Sequence, residues 1–146
     1  KGGRMKVTVE ELRKWNACVG GLDWFTSAFP SGEADWADFA ASAPRKDWVA
    51  WTACSAGLDW PDSRYTPDIA TVLIETKDAR YLYYAGLDWP DDRWTPEIAT
   101  ALIETKDAKY LYLARRYWLD RRLTLEIIDT TRKIIDAGLP PRVVEL

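Results

Sequence analysis

The chain has 146 residues, a formal net charge of −3 and no histidine. That length fits one domain with a continuous core, and the missing imidazole removes the commonest general base and metal ligand. No apolar run approaches the roughly 18 residues of a membrane span and no signal-peptide core is visible, so a soluble protein is expected.

Nine Trp, seven Tyr and three Phe form a heavy aromatic load. Each buried ring removes roughly 150–250 Å² from water, about 4–6 kcal/mol gross before entropy, so no disulfide or metal is needed to hold the core. Residues 1–4, Lys-Gly-Gly-Arg before the single Met5, read as an expression scar. Thr8 followed three residues later by Glu11 predicts a capping box that opens a helix running to about Cys18. Residues 15–24 recur as residues 51–60 at an offset of 36, both ending in Gly-Leu-Asp-Trp. Between them Pro30, Ser31 and Gly32 predict a turn, and helices are expected over about residues 33–42 and, after Pro44, about residues 45–56. Residues 5–56 thus read as an N-terminal cap or degenerate repeat.

Within this cap the pattern Asn16-Ala-Cys-x-x-Gly-Leu-Asp-Trp-Phe-x-x-x-Phe-Pro-x-Gly32 resembles the opening of short accessory proteins of bacteriophages and prophages. The resemblance implies a phage origin, and with it the cytoplasm of a bacterial host cell. It carries over no catalytic residues.

Residues 57–85 and 86–114 are nearly the same sequence, matching at 23 of 29 positions. A fixed period of this length is the mark of stacked helical units, each of which needs its neighbours to bury an apolar face. Thr66-Pro67 and Thr95-Pro96 place Thr at N-cap and Pro at the first helical position. Beyond Pro96, Ile98, Ala99, Leu102 and Ile103 share one face, and Glu97 and Glu104 fall opposite it. Asp68 and Glu75 do the same one unit earlier. Asp78 and Asp107 open second short helices, on which Tyr110, Leu111 and Ala114 point inward. Arg80, Tyr83, Lys109 and Tyr112 are expected outside. Gly-Leu-Asp-Trp-Pro-Asp-x-Arg-x then links to the next unit, with Trp60 and Trp89 in the core. Thr-Pro before a helix–turn–helix is similar to the ankyrin repeat. The period is shorter than the ankyrin one of about 33, and neither the ankyrin His nor its interhelix Gly is present. The fold class is therefore expected to be all-α, a solenoid-like helical repeat. Residues 115–146 form a divergent last unit, with a helix over about residues 124–137 and a short tail.

Residues 59–107 carry eleven acids and five bases, whereas residues 109–133 carry seven bases and three acids. Net charge hides this polarity. Cys18 and Cys54, at matching positions of the 36-residue offset, read as small buried thiols. The Asp88, Asp91, Asp92 group does not have the spacing of a calcium loop. No phosphate loop, Ser–His–Asp set or zinc spacing is present. No catalytic, cofactor or metal residues are expected, and the chain reads as non-enzymatic.

The functional expectation is a protein–protein interaction module. Its carboxylate row, Asp68, Glu75, Glu97 and Glu104, with the loop acids Asp62, Asp91 and Asp92, is expected to face a basic surface. With the phage resemblance, the partner implied is a nucleic-acid-handling host protein such as a CRISPR effector, inhibited as an anti-CRISPR protein inhibits. Two alternatives stay open. One is direct nucleic-acid binding through Arg115, Arg116, Arg121 and Arg122, with Tyr83, Tyr112 and Tyr117 as stacking surfaces. The other is self-association through exposed repeat ends.

Overall fold

Thr8 does what its spacing to Glu11 predicts: its hydroxyl accepts the Glu11 N–H, and the Glu11 carboxylate accepts the Thr8 N–H. The helix so opened, α1 (Val9–Lys14), is shorter than expected. In the computed structural model, which describes residues 5–138, Asn16 adopts the left-handed conformation, φ 64°, and ends that run. Cys18 then caps a second helix that the sequence does not announce, α2 (Val19–Ala28). The first Gly-Leu-Asp-Trp, residues 21–24, lies inside this helix. The turn at Pro30–Gly32 is present, with Gly32 at φ 86°. The next three residues, β2 (Glu33–Asp35), pair antiparallel with β1 (Lys6–Thr8), Val7 opposite Ala34. The helix expected from residue 33 therefore begins three residues later, as α3 (Trp36–Ser42). Both strands bury their middle residue, Val7 and Ala34, in the core, so the ribbon closes the cap by period-two alternation rather than by helical phase.

The rest of the described chain is helical: α4 (Lys46–Asp59), α5 (Asp68–Thr76), α6 (Ala79–Asp88), α7 (Pro96–Thr105), α8 (Ala108–Tyr117), a one-turn 3-10 segment (Asp120–Arg122) and α9 (Leu125–Asp136). Among the described residues the protein is mostly helical, with a single two-stranded pairing. Helices α4, α6 and α8 pack in succession, as do α5, α7 and α9, giving two layers. The core runs through both. Ile69, Leu73, Ile98, Leu102 and Ile127 come from one layer, and Ala53, Leu82, Leu111 and Ala114 from the other.

Local chemistry explains the helix ends. Asp78 and Asp107 accept the N–H of Tyr81 and Tyr110, both at 3.2 Å, as N-caps. Lys77 and Lys106 leave the preceding helices in the left-handed conformation. Thr95 is the N-cap of α7, with Pro96 first in the helix and no side-chain cap bond, whereas α5 begins one residue later than expected, with Pro67 and not Thr66 as its N-cap. The Thr66 and Thr95 carbonyls accept the N–H of Ile69 and Ile98. Gly-Leu-Asp, which the sequence places in the link, belongs instead to the helices. It forms the last turn of α4 and of α6, and Trp60 or Trp89 follows as the C-cap.

Contacts across successive segments recur at an offset of 29 residues. The Trp89 indole N–H donates to the Cys54 carbonyl and the Trp118 indole to the Tyr83 carbonyl, each at 3.0 Å. Both rings lie where a glycine leaves room: a Cβ on Gly57 would stand 2.2 Å from Trp89, and one on Gly86 2.0 Å from Trp118. Trp60 instead donates to Glu11 of the cap. Residues 1–4 and the tail 139–146 lie outside the described residues.

Candidate interaction surfaces

The loop after each Trp holds an arginine that looks solvated in sequence and is not. Arg93 is 5% exposed and Arg122 3%. Arg93 donates to the Gly57 carbonyl at 2.8 Å and to Asp62 at 2.9 Å. Arg122 repeats this with the Gly86 carbonyl at 2.9 Å and Asp91 at 2.8 Å, and adds the Trp89 carbonyl. Arg64 clamps the cap, bonding Glu11 and the Lys6 carbonyl while lying over the Trp60 ring. These guanidiniums satisfy buried carbonyls and stack on rings, Arg93 on Tyr65 and Arg122 on Trp94. Arg122 is thus a buried structural group and not part of a free basic patch.

This divides the predicted acids. Asp62 and Asp91 are taken by the arginine clamps. Asp91 also receives Arg121, and the hydrogen bonds from Arg121 and Arg122 hold its carboxyl below the usual range. Asp92 is exposed and, among the described residues, unpaired. Asp68 and Glu75 on α5, and Glu97 and Glu104 on α7, are exposed, and none has an ion-pair partner among the described residues. In α9 half of the row is kept: Glu126, equivalent to Glu97, is exposed, whereas Lys133 stands at the position equivalent to Glu104, and Asp129 binds both it and Arg132.

In the other layer, α6 and α8 expose mostly bases, Asp88 apart. Arg80 on α6, and Lys109, Arg115 and Arg116 on α8, are exposed and not ion-paired among the described residues. Arg80 lies over the rings of Tyr81 and Tyr84, Lys109 over Tyr110, and Arg116 over Tyr117. Arg116 also donates to the Tyr112 hydroxyl at 3.3 Å. Tyr83, expected outside, is 6% exposed. Its ring tilts against Tyr84 and Tyr110, so it supports this face from beneath. Sequence order places the polarity along the chain. It also runs between layers, because the exposed acids of the row lie on α5 and α7 and the exposed bases on α6 and α8, helices that alternate in sequence.

The two cysteines are not equivalent. Cys18 is exposed, its sulfur accepting the Gly21 N–H at 3.4 Å, which corrects the expectation of a buried thiol. Cys54 is half-buried inside α4, and burial pushes its thiol up to about 12. Lys14 and the Trp15 indole both bond Asp59, and the indole hydrogen bond is the larger cause holding that carboxyl below its usual range. Among the described residues no group of acids or cysteines is arranged to hold a metal ion, and no helix is long and apolar enough to cross a membrane.

Comparison with known proteins gives no curated protein that matches the chain and no solved structure that matches it. Residues 5–53, about a third of the chain, match the family of the YdhT N-terminal domain. That match spans the strand pair, α1 to α3 and the first half of α4, and stops before the near-identical segments begin. What the cap is similar to is therefore the YdhT N-terminal domain.

Proposed function

We propose that this chain is a non-enzymatic protein-binding module, built as a helical repeat of 29-residue units behind an N-terminal cap. Its partner presents a basic surface to the carboxylate row. One observation carries the reading: Asp68, Glu75, Glu97 and Glu104 occupy matching positions of two segments, all exposed and none neutralised within the described chain. The clamp acids Asp62 and Asp91 already spend their charge internally. Aligned free carboxylates attract a cationic partner and speed its approach. The phage resemblance adds a partner class, a nucleic-acid-handling host protein whose Lys/Arg groove normally holds phosphate, such as a CRISPR effector. The cellular setting that goes with this is the bacterial cytoplasm.

The test is capture from a nuclease-treated bacterial lysate by the native chain and by the variant Asp68→Lys, Glu75→Lys, Glu97→Lys, Glu104→Lys. One stoichiometric basic partner, held by the native chain and lost by the folded variant, is the expected result. Equal capture by both would sink the acidic-row reading.

A second reading has its own observation, the unpaired cations of α6 and α8 set against tyrosines. Single-stranded nucleic acid is held by such combinations of phosphate-binding charge and stacking rings. Of the arginines first assigned to it, only Arg115 and Arg116 remain free, joined by Arg80 and Lys109. A mobility shift with single-stranded DNA and RNA that Arg80→Ala with Arg116→Ala abolishes would favour it over the first.

A further inference from the structure

Where the cap meets α4 and α6, the core opens into a cleft of about 240 Å³. Its walls are rings: Trp24 from α2, Phe39 from α3, Trp48 and Trp51 from α4, and Tyr81 from α6. The three indoles are half-buried, so each leaves part of its surface without protein cover. Trp24 and Trp48 sit 6.1 Å apart with their planes inclined by 41°, and they converge without stacking. The Thr52 hydroxyl is already committed to the Trp48 carbonyl at 2.7 Å. Among the lining side chains Asp47 alone is charged at neutral pH.

The charge of Asp47 is partly engaged from outside the cleft. Arg45 bonds both its oxygens, at 3.0 and 2.7 Å, and lies 5.5 Å from the centre of the Trp48 ring. Both partners are well exposed, with side chains at 61% and 42%, so this pair is weakly held and easily shared. A carboxylate has about four acceptor positions, and Arg45 takes two. The remaining positions, beside the aromatic rings of the cleft, suit a positive charge. Arg45 itself shows that the Trp48 ring and Asp47 together accept a guanidinium.

We infer that this cleft binds the head of an organic cation, an alkylammonium or guanidinium group, with the indoles of Trp24, Trp48 and Trp51 as walls and Asp47 as counter-charge. The group belongs either to a free small molecule or to the side chain of a peptide; the chemistry is shared. The inference does not rest on the carboxylate row, which lies on α5 and α7.

The test follows the indole N–H resonances of the full chain by proton–nitrogen spectroscopy. The probes are choline, N-acetyl-arginine amide and the uncharged choline isostere 3,3-dimethylbutan-1-ol. Choline or the arginine amide should shift Trp24, Trp48 and Trp51 and leave Trp118 unmoved, with the isostere binding more weakly. Stronger binding of choline assigns a free cation, and stronger binding of the arginine amide a side chain. Asp47→Asn should weaken the cation about threefold, and Arg45→Ala, which removes a competitor, should strengthen it by a similar factor. Equal binding of the isostere, no shift with either cation, or the opposite sign for the two variants would overturn the proposal. Both variants alter exposed charges and leave the aromatic walls intact, so folding does not confound them.

Discussion

Glycine and tryptophan act as one fitting in this chain. Gly57 and Gly86 sit in helices, where glycine costs about 1 kcal/mol relative to alanine, yet a Cβ there would enter the Trp89 or Trp118 ring. Gly86→Ala should therefore destabilise by about 3 kcal/mol, by overpacking. Gly20, in α2, faces open space, with nothing within 4 Å of where a Cβ would stand, and Gly20→Ala should stabilise by about 0.5 kcal/mol. Thermal unfolding of the two variants would move in opposite directions; a mild Gly86→Ala would show that the ring can retreat. The cysteines give a second contrast at this scale. Iodoacetamide at mildly alkaline pH should label Cys18 in the folded protein and reach Cys54 only after unfolding, because burial holds that thiol protonated up to about 12. Mass spectrometry showing two labels on the native chain would contradict this.

At the scale of elements, the arginine clamps join each helical segment to the one before. Removing Arg93 leaves the buried Gly57 carbonyl without its donor, whereas the exposed Asp62 simply returns to water. Arg93→Met should then cost about 2 kcal/mol, the penalty of a buried unsatisfied acceptor. Arg121→Met breaks an ion pair whose side chains are 63% and 59% exposed and should change stability by less than about 0.5 kcal/mol. Denaturant melts of the two would separate burial from charge, and equal losses would refute the distinction. Much of this level was legible beforehand. The phase of Ile98, Leu102 and their counterparts set the buried faces, Asp78 and Asp107 announced helix starts, and Trp60 and Trp89 went to the core. The clamps were missed because an arginine among aspartates in a Pro-rich link reads as a solvated turn. A signal existed: Arg64 and Arg93 each follow a Gly-Leu-Asp-Trp glycine by seven positions, and Arg122 keeps register with them. In the cap, Asn16 ends α1 locally, its own N–H and that of Ala17 donating to the Arg13 and Leu12 carbonyls, whereas the β1–β2 pairing depends on long-range closure, which no local pattern in three-residue strands announces.

For the whole molecule, the alternation of helices between two layers does what composition hides. A chain of net charge −3 carries free carboxylates on α5 and α7 and free cations among tyrosines on α6 and α8. Reading charge along the sequence located an acidic middle and a basic end, but the two layers interleave in sequence and separate only in space. The candidate surfaces were legible in part for that reason. The exposed acids followed from the 100° step of a helix, whereas the aromatic cleft draws its walls from α2, α3, α4 and α6 and has no signature in any one of them.

The glycine that receives each Trp has no counterpart in α8: position 115, 29 residues beyond Gly86, is Arg115. An arginine there leaves no room for a ring seated as Trp118 is seated on Gly86. On the repeat reading proposed above, a duplicate of residues 86–114 inserted directly after residue 114 would bring its own glycine to receive Trp118 and its own Trp to fill the socket before it. The array could lengthen from within while the segment from residue 115 onward keeps its sequence. Each inserted copy would extend the acidic row by two carboxylates, so copy number would act as a ruler for the length of partner surface the row can span.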